Sequence, residues 1–171
     1  MRVLVAISFL LSFPVFGQYS SLQSQYMFNP IALNSAATGS EEVMSAIGSF
    51  RAQWLGFEGA PTTGSITVHA PLKDMNSSIG AQLYADQIGV DNRTTLNALY
   101  SYRINMDNAS LRFGISGGVS LIQSNYSELQ VFASDDEVIA SNTPVGVQPN
   151  FGIGAYYTAE KYFASFSIPA L

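Results

Sequence analysis

The sequence predicts an all-β fold: an antiparallel transmembrane β-barrel, present here as a partial barrel of about seven strands. Three observations carry that prediction. Apolar and polar residues alternate over runs of about nine to twelve residues, the mark of a strand with two unlike faces. Those runs exceed the roughly five or six residues usual in soluble sheets and match the roughly 9–11 that a tilted strand needs to cross a bilayer. Tight turns alternate with longer loops, as they do in outer-membrane barrels.

The chain opens differently. Arg2 precedes the apolar run "VLVAISFLLSF", and Val15 and Gly17 stand at the −3 and −1 positions of a cleavage site. Residues 1–17 are expected to be a secretory signal peptide, with Gln18 first in the mature chain. The run is short for a membrane helix. Its removal takes the net charge from −5 to −6, because Arg2 leaves with it. Residues 18–41 show no period and read as an irregular N-terminal segment. Residues 42–171 are expected to form the N-terminal part of the barrel.

Within that part, 42–54 places Ala46, Gly48, Phe50, Ala52 and Trp54 on one face and Ser45, Ile47, Ser49, Arg51 and Gln53 on the other. In 94–105, Leu96, Ala98, Tyr100, Tyr102 and Ile104 oppose Asn97, Leu99, Ser101, Arg103 and Asn105. In 111–122, Leu111, Phe113, Ile115, Gly117, Val119 and Leu121 oppose Arg112, Gly114, Ser116, Gly118 and Ser120. Further strands are expected near 63–70, 78–85, 149–158 and 161–168. A polar face of Ser, Gly, Asn and Arg suits a wet lumen, since an unpaired arginine in a dry core is costly. The apolar face is expected to meet outer-membrane lipid. Trp54 and Phe57 would sit where the strand leaves the hydrocarbon.

Turn chemistry fixes a register. "MDNA" (106–109), "TAEK" (158–161) and "PLKDMNS" (71–77) are the short connections; 55–62, 86–93 and an acidic stretch at 123–148 are the longer ones. The short side is expected to be periplasmic and the acidic side exterior. A turn at Asp107-Asn108 sets Tyr102 opposite Phe113 and Arg103 opposite Arg112. A turn at Ala159-Glu160 would set Tyr157 opposite Tyr162, Ala155 opposite Ala164 and Ile153 opposite Phe166. Like pairs with like in both, as a two-faced sheet requires. The two arginines need an acid from elsewhere.

Composition narrows the chemistry. Charged residues are 11% of the chain, and its net charge is acidic, which disfavours nucleic acid. There is no cysteine, hence no disulfide, thiolate site or cysteine nucleophile. His69 is the single histidine and stands on the polar face with Ser65 and Thr67. With no second histidine and no recognisable partner motif it reads as a lumen side chain rather than a base or metal ligand. "GISGG" (114–118) and "GIGA" (152–155) lie inside strands with no following helix, so they are not phosphate loops. Their glycines are expected to relieve crowding in a curved sheet. Asp135, Asp136 and Glu137 read as a solvated acidic face rather than a calcium site. No cofactor, metal or catalytic site is expected.

Three stretches read together: "QYMFNPIALNSAATGS" (25–40), "FRAQWLGFEGAPTTGSITVHAPL" (50–72) and "IGAQLYADQIGV" (79–90). They resemble the PorP/SprF family of outer-membrane proteins tied to type IX secretion and gliding motility. The resemblance rests on Gln25, Tyr26, Asn29 and Pro30; on Arg51, Gln53, Trp54, Gly56, Phe57, Gly59, Ala60, Pro61 and Thr63; and on Gly80, Asp86, Ile88 and Gly89. Ser35-Ala36 stands where the family usually has Pro-Ala after Asn34. The resemblance implies a non-enzymatic outer-membrane component that anchors or exports a surface adhesin or other cargo. Its partners would be lipid, periplasmic type IX components and that cargo. It also implies a longer chain. A closed single-chain barrel has an even number of strands, eight or more, so the sequence reads as a fragment whose C-terminal strands are missing. A general porin and a soluble secreted β-sandwich are the alternative readings.

Overall fold

The computed structural model of the protein describes residues 27–125 and 145–169. Residues 1–17, expected to be a signal peptide, and the acidic residues Asp135, Asp136 and Glu137 lie outside the described residues. Seven antiparallel strands form one sheet in sequence order: β1 Ser45–Ala52, β2 Thr62–Pro71, β3 Ser77–Ile88, β4 Asp91–Met106, β5 Ala109–Ser124, β6 Gly146–Ala159 and β7 Phe163–Ile168. The described residues hold no α-helix, only two 3-10 turns at Pro30–Ala32 and Ser35–Ala37. No helix among them is long and apolar enough to cross a membrane, which says nothing about crossing by strands.

Alternation produces two faces. In β1, Phe50 is 78% exposed while Ser49 and Arg51 point to the sheltered side. In β5, Phe113, Ile115, Val119 and Leu121 are exposed while Arg112 and Ser120 are buried. Ile66, Ile79, Leu83, Phe151, Ile153 and Phe166 continue the apolar face on other strands. A contiguous apolar surface of that kind marks contact with lipid or another apolar partner. A soluble sandwich would cover it with a second sheet, and the described residues supply none.

The sheet curls into a half-barrel, and its contacts show by how much. Asn34 bonds to β6 and β7, Thr38 to β4, and Gly39 to β2. Laid flat, β2 and β7 would stand about 24 Å apart at five strand spacings. Residues 34–39, with a 3-10 turn inside, reach roughly 12 Å. The strands therefore wrap around this short segment. The apolar core is small: Ile31, Ala37 and Leu99, with Tyr156 packed against them. Most of what lies inside is polar.

Two expectations need correction. The longer loop at 86–93 is instead a tight hairpin, Gly89-Val90 between β3 and β4. Gly89 adopts φ 59°, the left-handed conformation such turns demand. Asp86, Asn92 and Arg93 resemble loop residues only because a polar interior lets a strand carry them. The last hairpin turns at Glu160-Lys161, not Ala159-Glu160, and is closed by Ala159 N–H donating to Tyr162 O at 2.9 Å. The reason is that β6 stays in step with β5 as far as Ala159 opposite Ala109. Tyr157 thus pairs with Ala164, Ala155 with Phe166 and Ile153 with Ile168. A shift of two leaves every side chain on its face, and Tyr157 still stacks on Tyr162 at 6.0 Å between centroids. The Asp107-Asn108 register holds as expected, with Tyr102 opposite Phe113 and Arg103 opposite Arg112.

Candidate functional site

The residues singled out in the sequence fall into two clusters, one at a rim and one inside the curve. At the rim, β1 stops at Ala52 and residues 53–61 reverse the chain. Gln53 N–H donates to Pro61 O at 3.0 Å and closes the loop at its base. Within it, Phe57 N–H bonds Trp54 O and Ala60 N–H bonds Phe57 O, two consecutive turns. Trp54, at φ 49°, belongs to the reversal rather than to the strand face where alternation put it. Trp54 is 70% exposed, and Leu55 and Phe57 are exposed beside it.

Gly59 and Gly89 lie thirty positions apart in sequence and meet here. Gly89 N–H donates to Gly59 O at 2.9 Å. A Cβ on Gly59, itself at φ 72°, would stand 3.2 Å from Gly89 Cα. The close approach of two backbones pins the 53–61 loop to the β3–β4 turn: Gly59 is favoured by both the contact and its positive φ, Gly89 by its φ of 59° alone, since a Cβ there would meet open space.

Below the rim, Arg51, Thr63, Asp86 and Arg93 stand directly opposite one another in one cross-strand row on the inner face. Thr63 Oγ1 donates to Asp86 Oδ1 at 2.6 Å. A carboxylate between two arginines in such a row is the favourable charge order. Arg51 and Asp86, from separate sequence blocks, thus serve one structure.

The second cluster is the N-terminal segment, which occupies the concave side. Asn29 Nδ2 donates to Thr67 Oγ1 at 3.1 Å. Pro30 opens the first 3-10 turn, where its missing N–H is no loss. Asn34 caps the second turn through Oδ1, which accepts from Ala36 N–H. Its Nδ2 donates to Ala155 O at 2.9 Å and Ser165 Oγ at 2.8 Å. Gly114 and Gly154 form the seat: a Cβ on Gly114 would lie 2.1 Å from Ala36 N, and one on Gly154 1.9 Å from Asn34 Oδ1. These strand glycines therefore admit another backbone as well as easing curvature. The acid that the facing arginines require comes from the residue just after this segment, as Glu42 pairs with Arg103.

Sequence reasoning did not foresee that the irregular segment would fill the interior. Its signals were present: Asn34 as a cap-type residue before small residues, and inward glycines at matching heights on adjacent strands. His69 is 1% exposed and accepts Gly39 N–H on Nδ1 at 3.2 Å, so it is occupied in seating this segment. The described residues contain no group of His, Cys, Asp and Glu able to hold a metal ion.

A family model described as type IX secretion system membrane protein PorP/SprF matches residues 15–171. No curated protein and no solved structure matches. With a family match over nearly all of its length, on an antiparallel half-barrel, the chain belongs to the PorP/SprF family of type IX secretion system membrane proteins.

Proposed function

We propose that this protein is a non-enzymatic component of the type IX secretion and gliding apparatus in the outer membrane, anchoring or exporting a surface adhesin or related cargo. An N-terminal signal peptide delivers it. Lipid covers the apolar face carrying Phe50, Phe113 and Ile115, and periplasmic type IX components engage the side with the short turns. The block from Arg51 to Pro61, with Asp86 and Gly89, shapes and braces one rim.

One observation favours anchoring over the rival reading of a general porin. Residues 29–39 lie on the inner face, bonded to β2, β4, β6 and β7, where a diffusion pore would keep water. An inner face covered by a segment of the chain itself suits a part that holds something in place. The test is single-channel conductance of the full-length protein in a planar bilayer, beside surface display of the cargo in a deletion strain. The expected result is no large steady pore and loss of displayed cargo. A large, steady open conductance with display unaffected would overturn the reading.

A further inference from the structure

Inside the curve, two cations share one acid. Arg103 and Arg112 are direct cross-strand partners on the inner face. Arg112 is 3% exposed. Like charges placed opposite each other repel, and a buried charge without a partner is costly. Glu42 takes the Nη1 of Arg103. That leaves Arg103 Nε and Arg112 Nη1 buried with no hydrogen-bond partner among the described residues, and Ser78 Oγ is a third such atom. The neighbouring acid, Glu41, is exposed like Glu42 but makes no ion pair with either arginine.

Two of these atoms, Ser78 Oγ and Arg112 Nη1, flank Gly39. A Cβ built there would stand 1.9 Å from Ser78 Oγ and 3.7 Å from Arg112 Nη1, so both flank one residue. A single ion about 3 Å from each can bridge them. His69 holds Gly39 through its amide, which fixes the wall of the site. Guanidinium groups only donate, and a serine hydroxyl can. Ser78 Oγ could also accept, yet no hydrogen bond joins it to Arg112, so Arg112 Nη1 has no acceptor among the described residues. It also carries one positive charge more than Glu42 cancels. With Arg112 3% exposed and Gly39 beside it, a bridging ligand has to be small.

We propose that a small monovalent inorganic anion, of the halide class, binds between Arg112 and Ser78 and locks the N-terminal segment onto the sheet. The ion supplies the missing acceptor and neutralises the excess charge in one step.

The test uses full-length protein in a zwitterionic detergent. Its thermal unfolding is followed in sodium chloride and in sodium gluconate at equal ionic strength. The midpoint is expected to rise with the logarithm of chloride concentration, as for any ligand bound only by the native state, and to stay flat in gluconate. Ser78→Ala removes a donor without adding bulk and should weaken the apparent chloride affinity about tenfold. Arg112→Gln should abolish the dependence. Bromide-soaked crystals should show an anomalous peak beside Arg112. Equal midpoints in the two salts, or an unchanged chloride dependence in Ser78→Ala, would overturn the proposal and assign these donors to water.

Discussion

Asn34 Oδ1 lies 1.9 Å from the point where a Cβ on Gly154 would stand, so β6 and the N-terminal segment meet with no room for a methyl group. The same amide ties β6 to β7 through Ala155 O and Ser165 Oγ. Gly154→Ala is therefore expected to push the segment off its seat. Overpacking of this kind costs roughly 1–3 kcal/mol. Limited proteolysis of the detergent-solubilised protein checks it: cleavage within 27–44 should become faster, while the strands stay protected.

Ser35 offers a change in the other direction. It is the first residue of the Ser35–Ala37 turn, after Asn34 at φ −141°, ψ 111°, the extended conformation a proline requires before it. Its Oγ is buried without a partner among the described residues. Ser35→Pro should fit the turn's start, remove that orphan and restrict the unfolded chain. A gain of about 0.4–1 kcal/mol is expected, read as a higher thermal midpoint. A lower midpoint would mean that this turn is not formed as described.

Asp86 tests the rim row. Thr63 donates to it at 2.6 Å, with Arg51 and Arg93 in the same cross-strand row. Asp86→Ala leaves a sheltered hydroxyl without its acceptor and brings the row's positive charges closer to dominance. A loss of roughly 1–3 kcal/mol is expected. Thr63→Val should cost less, and in the double variant the two losses should fall short of additive, because they share one interaction.

Asp74 sets a pH dependence at the opposite rim, in the β2–β3 turn. Ser77 backbone N–H and hydroxyl both donate to its carboxylate, at 3.1 and 2.9 Å, and hold its pKa below the ordinary carboxylate value. The sign follows from the charged form being favoured by folding. Its contribution is complete above the unfolded pKa, near pH 4, and is lost as pH falls through the lowered folded value. Asp74→Asn should narrow the stability difference between neutral and acid solution. Paired unfolding curves of wild type and variant at the two pH values check it.

Much of this architecture was legible because a two-faced strand writes its period into the sequence. All seven strands could be read, with both faces assigned for β1, β4 and β5 apart from Gln53 and Trp54 beyond the end of β1, and one hairpin register followed from Asp107-Asn108. Errors arose where polar residues had two meanings. Asp86 to Arg93 looked like a loop, yet a polar interior carries such residues in a strand, and only Gly89-Val90 turns. The last hairpin slipped by two because its register is set by β5 rather than by the turn alone. The role of residues 29–39 was hidden for another reason. Asn34 meets Ala155 and Ser165, more than a hundred positions away, and a cap-type residue and strand glycines do not by themselves say that they pair with each other. Gly59 on Gly89 is the same kind of long-range contact, visible only as two glycine-containing blocks.

The account rests on β5 having one face toward lipid and the other toward the occupied interior. Spin labels at Phe113 and Ser116, in separate single-cysteine variants of the membrane-assembled full-length protein, measure this directly through oxygen and paramagnetic-nickel accessibility. The label at Phe113 should be exposed to oxygen and shielded from nickel, and that at Ser116 should be shielded from both or favour nickel. Matching accessibility at the two sites would contradict the account.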